Sequence, residues 1–120
     1  MAVTAIFGAL GVIAGAFGAH SLRDILEASG TGEVWRTAVF YNLVHSVASL
    51  VVTANRERLG TGPAWLWLVG VVLFSGSLYV LALGGPLWLG PVTPIGGALL
   101  IAGWLWLAIG ALGRKREGND

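Results

Sequence analysis

The feature that most constrains this chain is a set of four long segments without a charged residue. They cover residues 2–19, 37–55, 64–83 and 94–113. Each approaches the ~20 residues that an α-helix needs to cross about 30 Å of hydrocarbon. Helices satisfy their own backbone hydrogen bonds there, and the alternating polarity of membrane barrel strands is missing. The sequence therefore predicts four transmembrane helices, at about 2–20, 35–54, 64–83 and 94–113, followed by a polar tail at 114–120.

The composition favours an integral membrane protein. Charged residues make up 11% of the chain, whereas soluble domains contain about 25%. So few charges cannot cover the surface of a water-soluble globule. Because 120 residues leave no room for a second domain, we expect a single all-α membrane domain over 1–120, folded as a compact four-helix bundle. The first segment lacks the positive residues that open a signal peptide, so we expect a retained helix.

Charge and motif content exclude several classes of protein. A net charge of +1 gives no general attraction to nucleic acid. The chain has no cysteine, so disulfides and thiolate metal sites are excluded. Zinc-protease, nucleotide-loop and nucleophile-elbow motifs do not occur in it. We therefore expect a protein that is not an enzyme, with no catalytic residue, metal or cofactor, whose partners are the lipid bilayer and either further copies of itself or another membrane protein.

The positive residues are distributed unequally between the two ends of the predicted helices. The end that holds the amino terminus, the loop after the second helix and the tail carries five of them: Arg56, Arg58, Arg114, Lys115 and Arg116. The other end carries only Arg23 and Arg36. Lys and Arg are enriched on the cytoplasmic side of membrane proteins. The sequence therefore predicts a multi-pass protein of the cell (inner) membrane with both termini in the cytoplasm.

The connections between the helices contain local signals. Leu22, Ile25 and Leu26 are spaced as one face of a helix, which predicts a short amphipathic helix between the first two spans. Thr93 and Pro94 are typical of the N-cap and first residue of the last helix.

Tryptophan and glycine indicate how the helices are placed. Four tryptophans lie at predicted span ends and suggest an aromatic belt, namely Trp35, Trp65, Trp67 and Trp88. Trp104 and Trp106 lie near the middle of the fourth span, where we interpret them as bulk packed against a neighbour or lipid. Small residues recur as Gly11-x-x-x-Gly15 and as a seven-residue series, Gly96, Gly103 and Gly110. Such stripes allow close helix approach, within the chain or between chains.

A polar segment interrupts the second apolar span. The sequence "FYNLVHSVASL" (40–50) places Tyr41, His45 and Ser49 on one helix face. The third span contributes "FSGSLY" (74–79) at a similar depth. We expect both polar stripes to face inward, because hydrocarbon offers no hydrogen-bond partner. They define a hypothetical ligand-binding pocket made of Tyr41, Asn42, His45, Ser46, Ser75, Ser77 and Tyr79.

His45 has two interpretations. It either belongs to interhelical hydrogen bonds that hold the helices together, or it is part of a cavity for a ligand, ion or proton. In both cases we expect a neutral imidazole, because burial disfavours the charged form. We expect it to bond to a polar side chain on another helix, with 74–79 as the first candidate. His20 ends the first span at the other side of the membrane. There it is either a polar helix terminus or the partner of Asp24 or Glu27.

Four segments also resemble a known family. They are "GAFGAHSL" (15–22), "WRTAVFYNLVHSVA" (35–48), "FSGSLYVLALGG" (74–85) and "TPIGGALLIAGW" (93–104). Together they are similar to domain of unknown function 423, the YgdD-like and transmembrane-protein-256-like small membrane proteins. The resemblance implies a compact four-helix inner-membrane protein without an assigned activity. Its motif positions are His20, Tyr41, His45, Ser75, Ser77, Tyr79, Thr93, Pro94 and Gly97. Members often have Gly-Leu-Lys where this chain has Ser21, Leu22 and Arg23, so no role of a lysine carries over.

Three classes of function remain open. Glycine stripes and short loops favour a small scaffold or accessory subunit of a membrane complex. A minimal oligomeric transporter or channel would use the polar stripe around His45, although no Asp or Glu lies deep in the membrane. A binder of a hydrophobic ligand, such as a quinone or a lipid, would use His45 and a tyrosine at similar depth.

Overall fold

The structure is a computed structural model that describes residues 1–118. Its helices are α1 (Ala2–Ala19), α2 (Arg23–Ser29), α3 (Gly32–Ala54), α4 (Arg56–Leu59), α5 (Gly62–Ala82) and α6 (Val92–Glu117), with a single 3-10 turn at Leu87–Leu89. The four long helices α1, α3, α5 and α6 are long and apolar enough to span a membrane. The predicted all-α membrane fold with four spans, including the short helix after the first, is confirmed.

Two of the long helices extend beyond the predicted bounds. α3 begins at Gly32 rather than near residue 35, and an ion pair of 3.2 Å between Arg36 and Glu33 lies in its first turns. α6 continues to Glu117, so residues 114–117 of the predicted tail are helical, while 119–120 lie outside the described residues. The basic residues of the last turn are good helix formers and interact favourably with the negative end of the helix dipole. Charged residues indicate where a helix leaves the hydrocarbon of the membrane. The helix itself can continue beyond that point.

Neighbouring helices in the sequence pack side by side. α3 packs against α1 and α5, and α5 packs against α6. The two inner helices, α3 and α5, therefore contribute most of the buried residues. The larger apolar core lies between α3, α5 and α6 and contains Val52, Ala64, Trp67, Val71 and Leu100. A smaller one near α2 contains Leu26, Trp35 and Ala82.

Glycines allow the closest helix contacts. Gly96 of α6 lies against the backbone of α5 at Gly70, and a Cβ at Gly96 would overlap the α5 main chain. Gly103 lies under the indole of Trp67. The third member of the series, Gly110, meets only Arg114 of its own helix. The seven-residue series therefore serves packing within the chain at two of its three positions.

Two local predictions about the connections need correction. Thr93 is not the N-cap of the last helix, because α6 begins at Val92 after Pro91; its hydroxyl instead lies 2.6 Å from that of Ser77 on α5. In the amphipathic helix α2, Leu26 is buried, but Ile25 is 53% exposed. Only part of the predicted apolar face of α2 therefore contacts the bundle.

Two tryptophans assigned to an aromatic belt lie inside the bundle. Trp35 and Trp67 are buried, and each indole donates to a backbone carbonyl of another helix. Trp35 Nε1 donates to Ala14 O at 2.8 Å, and Trp67 Nε1 donates to Leu100 O at 3.1 Å. Trp65 and Trp88 are exposed, as a belt requires. Small residues on the opposite helix allow Trp35 and Trp67 to be buried. The tendency of tryptophan to lie at membrane interfaces depends on depth alone and does not consider such contacts.

We predict that Gly103→Ala destabilises the fold, whereas Gly110→Ala does not. At position 103 the new methyl group would overlap Trp67, and overpacking of a tight core costs typically about 1–3 kcal/mol. At position 110 a Cβ would lie 3.5 Å from Arg114 Nη1, which is an ordinary contact. The check is thermal unfolding of both variants in the same detergent. Equal unfolding temperatures would contradict the assigned α5–α6 contact.

Candidate functional site

His45 lies at the meeting point of three helices. It is the fourteenth residue of the 23-residue helix α3 and is 4% exposed. Its Nδ1 lies 2.8 Å from the carbonyl oxygen of Tyr41, and its Nε2 accepts a hydrogen bond of 3.0 Å from Nε1 of Trp104 on α6. A carbonyl only accepts and an indole N–H only donates. The ring is therefore the neutral imidazole with its proton on Nδ1.

Aromatic rings enclose this imidazole. Tyr41 stacks on it with a centroid distance of 5.9 Å. Trp67 of α5 and Trp104 of α6 approach with centroid distances of 6.1 and 5.9 Å, and the two indoles lie 4.6 Å apart. Offset and edge-to-face contacts of this kind add to the energy of burial. We call Tyr41, His45, Trp67 and Trp104 the histidine cluster.

The side chain that bonds to His45 comes from another helix, as expected, but the segment named as first candidate was wrong. We predicted a side chain of 74–79, but the hydrogen bond comes from Trp104. The reason is that α6 presents its indole N–H directly to the ring, while the serines of α5 bond elsewhere. The signal for Trp104 was present in the sequence, since an indole N–H in the middle of an apolar span also needs an acceptor.

A second polar group links α3 to α5. Asn42 Nδ2 donates to the hydroxyl of Tyr79 at 3.0 Å. Ser46 donates to the carbonyl oxygen of Asn42 at 2.6 Å, one turn back on the same helix. The ring of Tyr79 also contacts that of Trp35, with a centroid distance of 4.8 Å. Asn42, Ser46 and Tyr79 therefore form a group of their own, away from the Nε2 side of His45.

The serines of α5 make separate contacts. Ser75 donates to the carbonyl oxygen of Ala38 on α3 at 2.8 Å. Ser77 donates to Phe74 O at 2.9 Å and lies 2.6 Å from the hydroxyl of Thr93 on α6. Six of the seven residues of the hypothetical pocket thus face the interior, as several hydrogen-bonded groups rather than one shared cavity, whereas Tyr41 is 37% exposed. Within residues 1–118, Ser49 Oγ is the buried side-chain oxygen or nitrogen without a partner.

His20 and Asp24 lie at the end of the bundle near α2. Both are exposed. Glu27, the other acid considered for His20, instead forms an ion pair of 3.1 Å with Arg23. Across the described part of the chain, no cluster of three or more metal-binding side chains is found.

An apolar concave surface lies on another side of the bundle. It is a groove of about 480 Å³ between α1 and α5, with α3 as its floor. We call it the α1–α5 groove; it is lined by Phe7, Leu10, Ile13, Ala14, Phe17, Leu22, Trp35, Asn42, Val71, Val72, Ser75, Gly76 and Tyr79. Three of the predicted pocket residues, Asn42, Ser75 and Tyr79, line it, whereas His45 does not.

The chain matches a family model described as protein of unknown function (DUF423) over residues 14–97. The chain belongs to this family. The matched range contains α2, α3, α5 and the histidine cluster except for Trp104. The predicted resemblance is therefore confirmed.

Curated relatives are membrane proteins of similar length. A UPF0382 membrane protein of Staphylococcus saprophyticus is 41% identical over 92% of this chain and 97% of its own. The UPF0382 membrane protein YwdK of Bacillus subtilis is 37% identical over 90% and 91% of the two chains. The UPF0382 inner membrane protein YgdD of Escherichia coli is 39% identical over 95% and 89%. No solved structure matches the chain.

We predict a measurable energetic coupling between His45 and Trp104. Side-chain hydrogen bonds between membrane helices average about 0.6 kcal/mol and reach about 1.7. A double-mutant cycle of His45→Leu and Trp104→Phe, measured by reversible unfolding in mixed detergent, should give a coupling in this range. The control cycle pairs His45→Leu with Trp106→Phe, because Trp106 packs over Gly62. The control coupling should be near zero, and equal couplings in both cycles would contradict the His45–Trp104 bond.

Proposed function

We propose that this protein is a non-enzymatic scaffold or accessory subunit of a membrane complex. The observation that carries the proposal is the state of His45. Its two ring nitrogens are both engaged by groups of the chain itself. A histidine that transfers protons or binds a ligand needs a free nitrogen, whereas one that joins helices does not. The serines of α5, bonded to Ala38 and Thr93, support the same interpretation.

We further propose that α6 docks against another membrane protein. The half of α6 beyond Gly103 carries Gly110 and Gly113, and neither glycine is covered by another helix of the described chain. Large apolar residues beside them, Ile109 and Leu112, are exposed. Small residues allow a second helix to approach closely in a membrane, where apolar burial gives no driving force between helices. Uncovered glycines on an outer helix therefore favour a partner helix at this place.

We expect a photo-crosslinking residue at position 109 to capture this partner in native membranes. The matched control is position 12 on α1, because Ile109 and Val12 are 67% and 63% exposed. Position 109 should give a discrete protein adduct and position 12 only diffuse lipid adducts. An adduct of twice the chain's own mass would identify a second copy as the partner. Absence of a protein adduct at position 109 would overturn the docking proposal.

We also propose that the protein lies in the cell membrane with both termini in the cytoplasm. The relative from Escherichia coli is named an inner membrane protein. The amino terminus, α4 and the end of α6 lie at one end of the bundle, where Arg114 donates to Arg58 O at 3.2 Å. α2, the start of α3 and the end of α5 lie at the other end, where Leu26 packs with Ala82 and Thr31 donates to Ala82 O at 2.7 Å. The first end carries five positive residues against two, and this asymmetry supports the orientation.

Single cysteines test this orientation, since the chain has none of its own. Ser29→Cys, in the exposed end of α2, should react with a membrane-impermeant maleimide in intact cells. Thr61→Cys and Gly118→Cys should react only after the membrane is opened. Opening the cells supplies the control for reactivity at all three sites. The reverse pattern in intact cells would invert the assigned orientation.

A further inference from the structure

The α1–α5 groove has the shape of a site for an elongated ligand. Along α1 it extends from Phe7 to Phe17, which is about 15 Å at 1.5 Å per residue. Its volume of about 480 Å³ lies within the range of small-molecule sites. Leu10, Ile13 and Val72 on its walls are about half exposed. The groove therefore opens sideways, toward the lipid, and a ligand would enter it from the membrane.

The floor of the groove carries unused hydrogen-bond donors. Asn42 is 4% exposed and has two amide hydrogens, of which one is used in its bond to Tyr79. Tyr79 accepts that bond, so its own O–H proton has no acceptor among residues 1–118. If the amide is turned the other way, Tyr79 donates to it, and one N–H of Asn42 still remains unmatched. Hydrogen-bond donors that have no acceptor in an apolar site favour a ligand that supplies one.

The depth of these donors restricts what that acceptor can be. Asn42 is the eleventh of the 23 residues of α3, so it lies near the middle of the membrane. The ester carbonyls of phospholipids stay near the polar surface, about 15 Å away for a hydrocarbon core of about 30 Å. An acceptor at mid-depth therefore belongs to a molecule whose carbonyl group is itself soluble in hydrocarbon.

The walls of the groove favour a flat ring. Phe7, Phe17, Trp35 and Tyr79 are all aromatic, and Trp35 is fixed by its hydrogen bond to Ala14 O. Aromatic rings pack well against planar ligands in offset or edge-to-face contacts. A ring with a polar carbonyl at one side and a long apolar tail matches both the donors and the length of the groove.

We propose that the α1–α5 groove binds a prenylated quinone. One ring carbonyl accepts hydrogen bonds from Tyr79 and Asn42, and the tail lies along the apolar wall of α1. This assignment concerns binding alone and does not depend on the scaffold role, which rests on His45 and α6.

The test measures binding of a decyl-substituted 1,4-benzoquinone to the full-length protein in nanodiscs, by saturable quenching of tryptophan fluorescence. Gly76 lines the groove, and nothing lies within 4 Å of a Cβ placed there. Gly76→Leu should therefore fold normally and lose saturable binding. Ala98→Leu is the control, because Ala98 is exposed on the half of α6 before Gly103 and lies outside the groove, and it should bind like the wild type.

Two further arms test the chemistry of the ligand. Tyr79→Phe should weaken binding about tenfold, the effect of losing one hydrogen bond of about 1.4 kcal/mol. A decylbenzene without carbonyl groups should compete weakly. Binding that survives Gly76→Leu, or that is unchanged in Tyr79→Phe, would overturn the site. Equal competition by decylbenzene would also overturn it. So would quenching by a brominated phospholipid that is lost in Gly76→Leu but is not reduced by the quinone.

Discussion

The structure depends on one constraint, which is that polar groups inside hydrocarbon must find partners within the protein. His45 satisfies it by accepting a hydrogen bond from Trp104 and by its contact with Tyr41 O. Through this bond α3 is joined to α6, although the two are not neighbours in sequence. The indole of Trp67 fills the space beside them. This residue pair thereby links the inner helix α3 to the outer helix α6.

This arrangement is possible only because glycine leaves room for it. Trp67 is fully buried since Gly103 presents no side chain to its indole. Gly96 brings the backbones of α5 and α6 together one heptad earlier. Apolar burial gives little driving force between helices that lie in lipid. Close packing and hydrogen bonds must therefore supply the stability of the bundle, and both meet at the histidine cluster.

The fold could be predicted from the amino-acid sequence, but only part of the site could. Uncharged runs identify membrane spans directly, because length and hydrophobicity are properties of one segment. Which helix faces which depends on contacts between segments. Trp35 and Trp67 were therefore assigned to the interface although both are buried, and the partner of His45 was sought on α5 rather than α6. Most of the polar residues of 40–50 and 74–79 lie inside as expected, but Tyr41 is exposed, and the grouping of the others could not be derived from depth alone.

The central claim is that His45 is a neutral imidazole that links α3 to α6 through a hydrogen bond and carries its proton on Nδ1. The most direct measurement is the ¹⁵N spectrum of histidine-labelled protein in lipid bilayers, recorded on a His20→Asn variant so that one imidazole remains. We expect a protonated Nδ1, a bare Nε2 and a coupling from that Nε2 to the indole nitrogen of Trp104. A protonated Nε2, alone or together with Nδ1, would contradict the account, because that nitrogen could then accept no hydrogen bond from Trp104.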